Sequence, residues 1–268
     1  MKKYKTTNMK SSEYELTEPL FSPFSDWLAQ LCGIEKGMHV LDVGCGIGVS
    51  AFSMLRRVGQ KGKVVGVDIS GRVISQALQR KEEMKTPNIL FTPGNAEDLG
   101  FPNNTFDRVV SNFVLQQVND RIKAVQEMKR VLRPGGRLGF TLPALEHYKE
   151  FREIAASVLK EELIRHDKNC IRSNPGILRL LLKEAHIPDA RVFSKARTFR
   201  MDSVDDYDVV LETRGPKKAI LHRLPANKRM EAWETILCEF KKRRKEKGYL
   251  PLTLHARAII WRKPQNKK

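Results

Sequence analysis

Along the chain, apolar positions recur with two periods. Compact apolar runs at 40–43 (VLDV), 63–68 (KVVGVD), 88–93, 106–115 and 137–142 read as strands. Between them, at 49–58, 70–85 and 120–132, apolar residues return every three or four positions, as on one face of a helix. Strand and helix alternating in this way predict an α/β fold around a parallel sheet. Ahead of the alternation, residues 23–34 predict an amphipathic helix with Phe24, Trp27, Leu28 and Leu31 at helical spacing. That helix either covers a sheet edge or offers Tyr14, Phe21 or Phe24 as an aromatic lid. Residues 1–12 are polar and Lys-rich and are expected to be flexible, with order beginning near Tyr14.

Beyond residue 143 the regular alternation ends. Residues 145–166 predict a helix outside it, and another starts at Ser173 or Asn174 with Pro175 in its first turn. A sixth strand is expected at 190–201, a helical excursion at 204–248, a last strand at 250–261 and a basic tail at 264–268.

Chemistry enters at the turn after the first strand. Asp42 is followed by Gly44, Gly46 and Gly48 at alternate positions, and a helical pattern resumes at Val49. Glycine takes φ > 0 and lets another molecule approach the backbone, so this turn is where a ligand would lie. The free N–H groups of the next helix face the same place. A dinucleotide-binding turn would carry its third glycine at 49, which is Val49 here. A carboxylate at Asp42 would also repel a pyrophosphate and suit an ammonium or sulfonium, which argues against NAD and FAD. Asp68, about 20 residues past the glycines at the end of the second strand, is placed to bind both hydroxyls of a ribose. Ile69 could then lie on an adenine face. Cys45, inside the turn, reads as a small packing residue rather than a nucleophile.

The 42–48 turn, Asp68, the loop Gly94-Asn95-Ala96-Glu97 and the helix-LRPGG-strand sequence ending at 136 together resemble the class I S-adenosylmethionine-dependent methyltransferases, of the type found in ubiquinone and menaquinone biosynthesis. The resemblance covers roughly residues 36–142. It implies a Rossmann-like, doubly wound sheet of seven strands, mostly parallel with one antiparallel strand. It further implies a single domain over 13–263, with a cofactor half at 36–142 and a helical cap at 145–173 and 203–248, inserted after strands five and six. S-Adenosylmethionine is the implied cofactor. Asp42 and the turn at Gly44, Cys45, Gly46 and Gly48 would hold its methionine portion, Asp68 its ribose, and Ile69 with Asn95, Ala96 and Glu97 its adenine. Asn112 and Phe113 would line the reacting end through their backbone. Asn95 replaces the family's usual Asp, though its amide oxygen can still accept a hydrogen bond. Ser111-Asn112-Phe113-Val114 lacks the paired prolines of enzymes that methylate base amino groups, and Gln116 and Gln117 stand where many small-molecule relatives carry a histidine.

Composition adjusts this picture at the margins. The net charge of +18 is uneven: residues 1–144 hold 20 basic and 14 acidic side chains, and residues 145–268 hold 29 and 17. The run Lys241-Lys242-Arg243-Arg244-Lys245-Glu246-Lys247 could follow a phosphate backbone or simply face the dipole at a helix end. With no separate RNA-binding domain and no basic stripe interleaved with aromatics expected, the reading is methyl transfer to oxygen, nitrogen or carbon of a small organic molecule. RNA or protein methylation through the basic half is the alternative, and cofactor binding without turnover a third. His147 is the best-placed candidate base, although a surface or core histidine is the favoured account of it; Tyr148 and His166 are weaker. No metal-ligand cluster is expected. Four scattered cysteines without CxxC spacing suggest reduced thiols and a cytoplasmic location. No apolar run is long enough for a transmembrane helix, and no secretory signal is evident. The oligomeric state is open.

Overall fold

The computed structural model describes residues 11–159, 175–213 and 215–265, with side chains from Leu16 onward. Cys170, His166 and the expected helix start at Ser173 or Asn174 lie outside the described residues, as do the first ten residues and the last three. In chain order the elements are α1 (Ser11–Leu31), β1 (His39–Val43), α2 (Val49–Val58), β2 (Lys63–Asp68), α3 (Gly71–Glu83), β3 (Ile89–Pro93), β4 (Phe106–Asn112), α4 (Arg121–Val131) and β5 (Leu132–Pro143). Then come α5 (Lys149–Val158), α6 (Pro175–Glu184), β6 (Arg191–Met201), α7 (Val204–Thr213), α8 (Lys217–Leu221), a 3₁₀ turn (Ala226–Lys228), α9 (Arg229–Lys247) and β7 (Leu250–Arg262).

The seven strands form one sheet in the order β3-β2-β1-β4-β5-β7-β6. β1 pairs in parallel with β2 and β4, β2 with β3, and β4 with β5. β7 pairs antiparallel to β5, from Arg137↔Arg262 to Pro143↔Ala256. The doubly wound sheet with one reversed strand therefore matches the expectation. β1 is buried along nearly all its length, as a central parallel strand covered on both faces must be. Its one ionisable residue past His39 is Asp42.

Two units emerge from the packing. One comprises residues 21–143, 174–195 and 256–268; its core gathers Leu28, Val40, Phe52, Met54, Val64 and Ile89. The other comprises residues 1–20, 144–173 and 196–255, which places both expected excursions in one unit. Its described core is aromatic: Phe240 lies parallel to Phe151 at 6.4 Å between ring centres and 4.6 Å from Tyr207, and Trp233 stands 6.0 Å from Phe151.

Several boundaries differ from the sequence reading. Helix α1 starts at Ser11, inside the stretch expected to be flexible and ahead of the predicted start at residue 23. Pro19 and Pro23 each remove a backbone donor without ending the helix, because Leu20, Phe24 and Leu28 continue one buried stripe through them. Strand β5 begins at Leu132 rather than 137. Leu132 already pairs with Phe106, and the next ladder pair is Arg108 with Arg137, so Pro134, Gly135 and Gly136 form an irregularity within the strand instead of a turn before it. Helix α5 starts at Lys149, not 145. Asp120 caps α4 by accepting from Lys123 N–H at 2.9 Å, whereas the Ser70 side chain makes no such bond to α3.

Candidate functional site

In the parallel ladder Asp42 pairs with Gly66 and Val43 with Val67. Asp42 and Asp68 therefore lie on the same face, with Asp68 two residues further toward the carboxyl ends of the strands. Between them runs the glycine turn, where Gly44, Gly46 and Gly48 have φ of 74°, 55° and 89°. The positive φ read from the glycines is present at all three.

The turn is not an open ring of amides. Gly44 and Cys45 N–H both donate to Val67 O, at 2.7 and 2.9 Å, and Gly48 N–H donates to Cys45 O. Gly46 N–H donates to Asp68 Oδ2 at 3.0 Å. These amides, expected to face a ligand, are instead consumed within the protein: those of Gly44, Cys45 and Gly46 brace the turn against β2, and that of Gly48 closes the turn on itself. The space around them differs as well. A Cβ at Gly44 would stand 2.4 Å from the Val114 side chain, while one at Gly46 would meet nothing within 4 Å. Gly46 is the place in the turn where another molecule can approach the backbone.

Asp68 accepts Gly46 N–H on Oδ2 and Ser70 N–H on Oδ1, each at 3.0 Å. A carboxylate oxygen takes two hydrogen bonds, so one acceptor position remains on each oxygen, the pattern a vicinal diol requires. The next side chain, Ile69, is 45% exposed, an apolar surface where an adenine ring could rest.

Asp42 is the opposite case. It is 1% exposed, and neither carboxylate oxygen has a hydrogen-bond partner at ordinary distance. Burial, reinforced by the Asp68 charge and only partly offset by the Ala51 amide, pushes its pKa up to about 7. It holds its proton to a higher pH than an ordinary carboxyl, so the repulsion of a pyrophosphate argued from the sequence is weaker than a fully ionised carboxylate would give. An orphaned, buried carboxyl fits a cationic ligand group, whose charge would favour the ionised form. The Cys45 thiol is pushed well above its ordinary range by burial and by both carboxylates, which disfavours the thiolate and agrees with a packing role.

The loop after β3 is tied to itself. Asn95 Oδ1 accepts Glu97 N–H at 3.0 Å, and Glu97 Oε1 accepts Asn119 and Asp120 N–H at 3.1 and 3.2 Å. Glu97 thus anchors the loop to the start of α4, and Ala96 is carried between two tethered neighbours.

At the exit of β4 a polar network crosses four elements. Asn112 Nδ2 donates to Ser25 Oγ at 2.9 Å and approaches Ser50 Oγ at 3.4 Å, while the two serine oxygens are 2.8 Å apart. Thr141 Oγ1 donates to Asn112 Oδ1 at 2.6 Å and accepts Phe113 N–H at 2.9 Å. Phe113 has φ of 56°, uncommon for a bulky residue, and its carbonyl accepts Gln116 Nε2 at 2.6 Å. Phe21 and Phe24 both stand edge-on to its ring at 5.5 Å. The aromatics considered as a lid therefore pack on Phe113, and Phe24 is fully buried. Tyr14's side chain lies outside what the structure describes. Ser25, Ser50 and Thr141 were not singled out from the sequence; Ser50, in the first turn after the glycines, carried the only positional hint.

The strand order β3-β2-β1-β4 sets the loops bearing Asn95, Asp68, Gly46 and Asn112 side by side at the carboxyl ends of neighbouring strands. His147 belongs to the other unit, is 3% exposed, and has Nδ1 3.0 Å from both the N and O of His255.

Comparison with known proteins supplies independent findings. A family model described as a methyltransferase domain matches residues 34–185, more than half of the chain. A demethylmenaquinone methyltransferase from Listeria welshimeri is 38% identical over 109 residues, covering 41% of this chain and 46% of that protein. A 2-phytyl-1,4-naphtoquinone methyltransferase from Nostoc sp. is 31% identical over 163 residues, covering 55% of this chain and 71% of that protein. The chain thus spans about half the length of the curated relatives it matches first. The solved YcgJ protein from Bacillus subtilis superposes with a TM-score of 0.58 at 18% identity, covering 91% of this chain and all of that one, a likeness of fold.

Proposed function

The chain belongs to the methyltransferase-domain family, and from that premise we propose that it methylates a small quinone-type acceptor with S-adenosylmethionine as donor. When bound, that cofactor supplies an electrophilic methyl carbon on a positively charged sulfur. Asp68 would take the ribose hydroxyls on its two remaining acceptor positions, and Ile69 would cover the adenine. Asp42 would face the ammonium of the methionine portion near Gly46, and Asn112 and Phe113 would wall the reacting end. The observation that carries the reading is Asp68, its two oxygens each holding one amide and each retaining one acceptor position beside the open Gly46.

The quinone class is favoured by relatives named for such substrates that match this chain at 38% and 31% identity. Those names support a small-molecule acceptor over the RNA or protein considered for the basic half. Transfer to a carbon next to a ring hydroxyl needs orientation and exclusion of water more than a strong base, because ionising the hydroxyl puts electron density on that carbon. No catalytic role for His147 is included, since its Nδ1 is engaged by the His255 backbone. Selection of the acceptor is assigned to the unit holding the two helical excursions. A cytoplasmic location is part of the same proposal, and Cys32, Cys45 and Cys238 are free thiols.

Calorimetric titration with S-adenosylmethionine and S-adenosylhomocysteine tests the cofactor, using the native chain, Asp68→Asn and an NADH control. Binding of both sulfur nucleosides, weakened in the variant and absent for NADH, is expected. A folded chain that binds neither would overturn the reading. Incorporation of labelled methyl into a demethylated short-chain naphthoquinol, with an RNA transcript as competitor, tests the acceptor.

A further inference from the structure

The unit containing residues 196–255 carries a charged surface that the proposed chemistry does not use. Six of the seven residues at 241–247 are basic. On α9, Lys241, Arg244 and Lys245 follow the i, i+3, i+4 spacing of a single stripe, and all three are exposed. Glu239 and Arg243 pair with each other at 3.3 Å on a neighbouring one, and Glu246 also lies off the stripe. The dipole at the end of α9 favours cations in its last turn, which holds Arg244, Lys245 and Lys247, but the effect fades before Lys241. Like charges at these spacings otherwise repel, so helix stability alone does not account for the stripe.

The stripe continues onto the end of β6. Arg244 Nε donates to the Asp202 carbonyl, and the Asp202 carboxylate pairs with Arg200 at 2.8 Å. Arg200 in turn lies over the Tyr249 ring at 4.9 Å, and Arg197 over the Phe199 ring at 5.2 Å. Tyr249 is 36% exposed. The sequence reading expected no basic stretch interleaved with aromatics; Arg197, Phe199 and Arg200 form one, in the strand at the edge of the sheet.

We infer that Lys241, Arg244 and Lys245, with Arg200 and Tyr249, form a docking face for an anionic phospholipid surface. Cations beside an amphipathic ring suit a headgroup layer, where the charges meet phosphates and the ring sits at the boundary. Nucleic acid is a poorer fit. Base stacking needs an open aromatic face, and a guanidinium already occupies one face of both Phe199 and Tyr249. The preference for lipid rests also on the proposed quinone reading. An acceptor with a long alkyl chain resides in a membrane, and no helix among the described residues is long and apolar enough to cross one.

The test is co-sedimentation of the full chain with phosphatidylcholine vesicles, with and without phosphatidylglycerol, beside titration with a single-stranded RNA at the same salt. Binding only to the anionic vesicles is expected, declining as salt is raised. Lys241→Glu with Lys245→Glu should weaken it by more than about tenfold, since each basic side chain near such a surface contributes roughly fivefold. If circular dichroism shows that this pair does not fold, Lys241→Gln with Lys245→Gln replaces it. Equal binding to both vesicle types, binding indifferent to these substitutions, or RNA binding without vesicle binding would each overturn the inference. Methylation of a water-soluble naphthoquinol without vesicles should be the same in the native chain and the charge variants. Its absence from the native chain would count against the quinone reading separately from the vesicle result.

Discussion

Asp42 and Asp68 end up in opposite states although they are the same residue on adjacent parallel strands, on the same face, two positions apart in register. Asp42 lies within β1, buried and without a hydrogen-bond partner, and burial pushes its pKa up to about 7. Asp68 ends β2, accepts two backbone amides and stays partly accessible. The glycines repeat the contrast: protein fills the space beside Gly44, and open space lies beside Gly46. Two residues of travel along a strand separate a carboxyl enclosed by protein from one that keeps acceptor positions open.

Alanine at the two glycines should separate these roles most sharply. Gly44→Ala meets Val114 at 2.4 Å as well as an unfavourable φ, and should destabilise the chain by about 3 kcal/mol or more. Gly46→Ala has no clash, so its φ of 55° should cost about 1 kcal/mol, while the added methyl occupies the ligand's approach. Thermal unfolding and calorimetry on the same samples would decide. Equal loss of stability in both variants would erase the distinction.

Asp68→Asn comes next, with S-adenosylhomocysteine expected to bind roughly a hundredfold more weakly, because charge-assisted hydrogen bonds are about twice as strong as neutral ones. An unchanged dissociation constant would show that the diol-binding role belongs elsewhere.

Asp42→Asn should act mainly on stability, and through pH. With its pKa raised above the ordinary 3.8 to about 7, the folded chain keeps a proton across that window that the unfolded chain has released. Stability from this group is therefore fully present below about pH 4 and declines as pH rises toward 7. The asparagine variant should lose that slope and gain up to roughly 4 kcal/mol at pH 8 relative to the native chain, from denaturant unfolding at several pH values. In the native chain, cofactor affinity should rise between pH 6 and 8, because the ligand's ammonium favours the ionised carboxyl. A flat affinity profile would mean that Asp42 does not face that charge.

Legibility in the sequence followed the same division. The alternation from His39 to Leu142 fixes strand and helix period locally, so β1 to β4 and α2 to α4 were readable, and Gly44, Gly46 and Gly48 announced their positive φ. Which amides of the turn would be consumed was not readable, because Val67 O and the Asp68 carboxylate reach them across strands distant in sequence. Helix α1 was truncated in the reading because proline weighs heavily in a local pattern, whereas tertiary burial of Leu20 and Phe24 decides the outcome. Glu97 was assigned to adenine because its loop matched a family pattern; its bonds to Asn119 and Asp120 depend on where α4 starts.

The smallest effect is expected where the polar network is redundant. Asn112 Nδ2 keeps Ser25 Oγ at 2.9 Å, and its approach to Ser50 Oγ at 3.4 Å is long, so Ser50→Ala should cost under about 1 kcal/mol. Ser25 Oγ loses its 2.8 Å partner but still accepts from Asn112. The Thr141 hydroxyl is not redundant, because the buried Phe113 N–H, at a φ of 56°, has that oxygen as its acceptor at 2.9 Å. Thr141→Val should therefore destabilise by about 1–3 kcal/mol and lower the methylation rate, whereas Ser50→Ala should leave the rate nearly unchanged. A Ser50→Ala variant as slow as Thr141→Val, at equal cofactor affinity, would shift the positioning role from the Thr141–Phe113 contact to the serine pair.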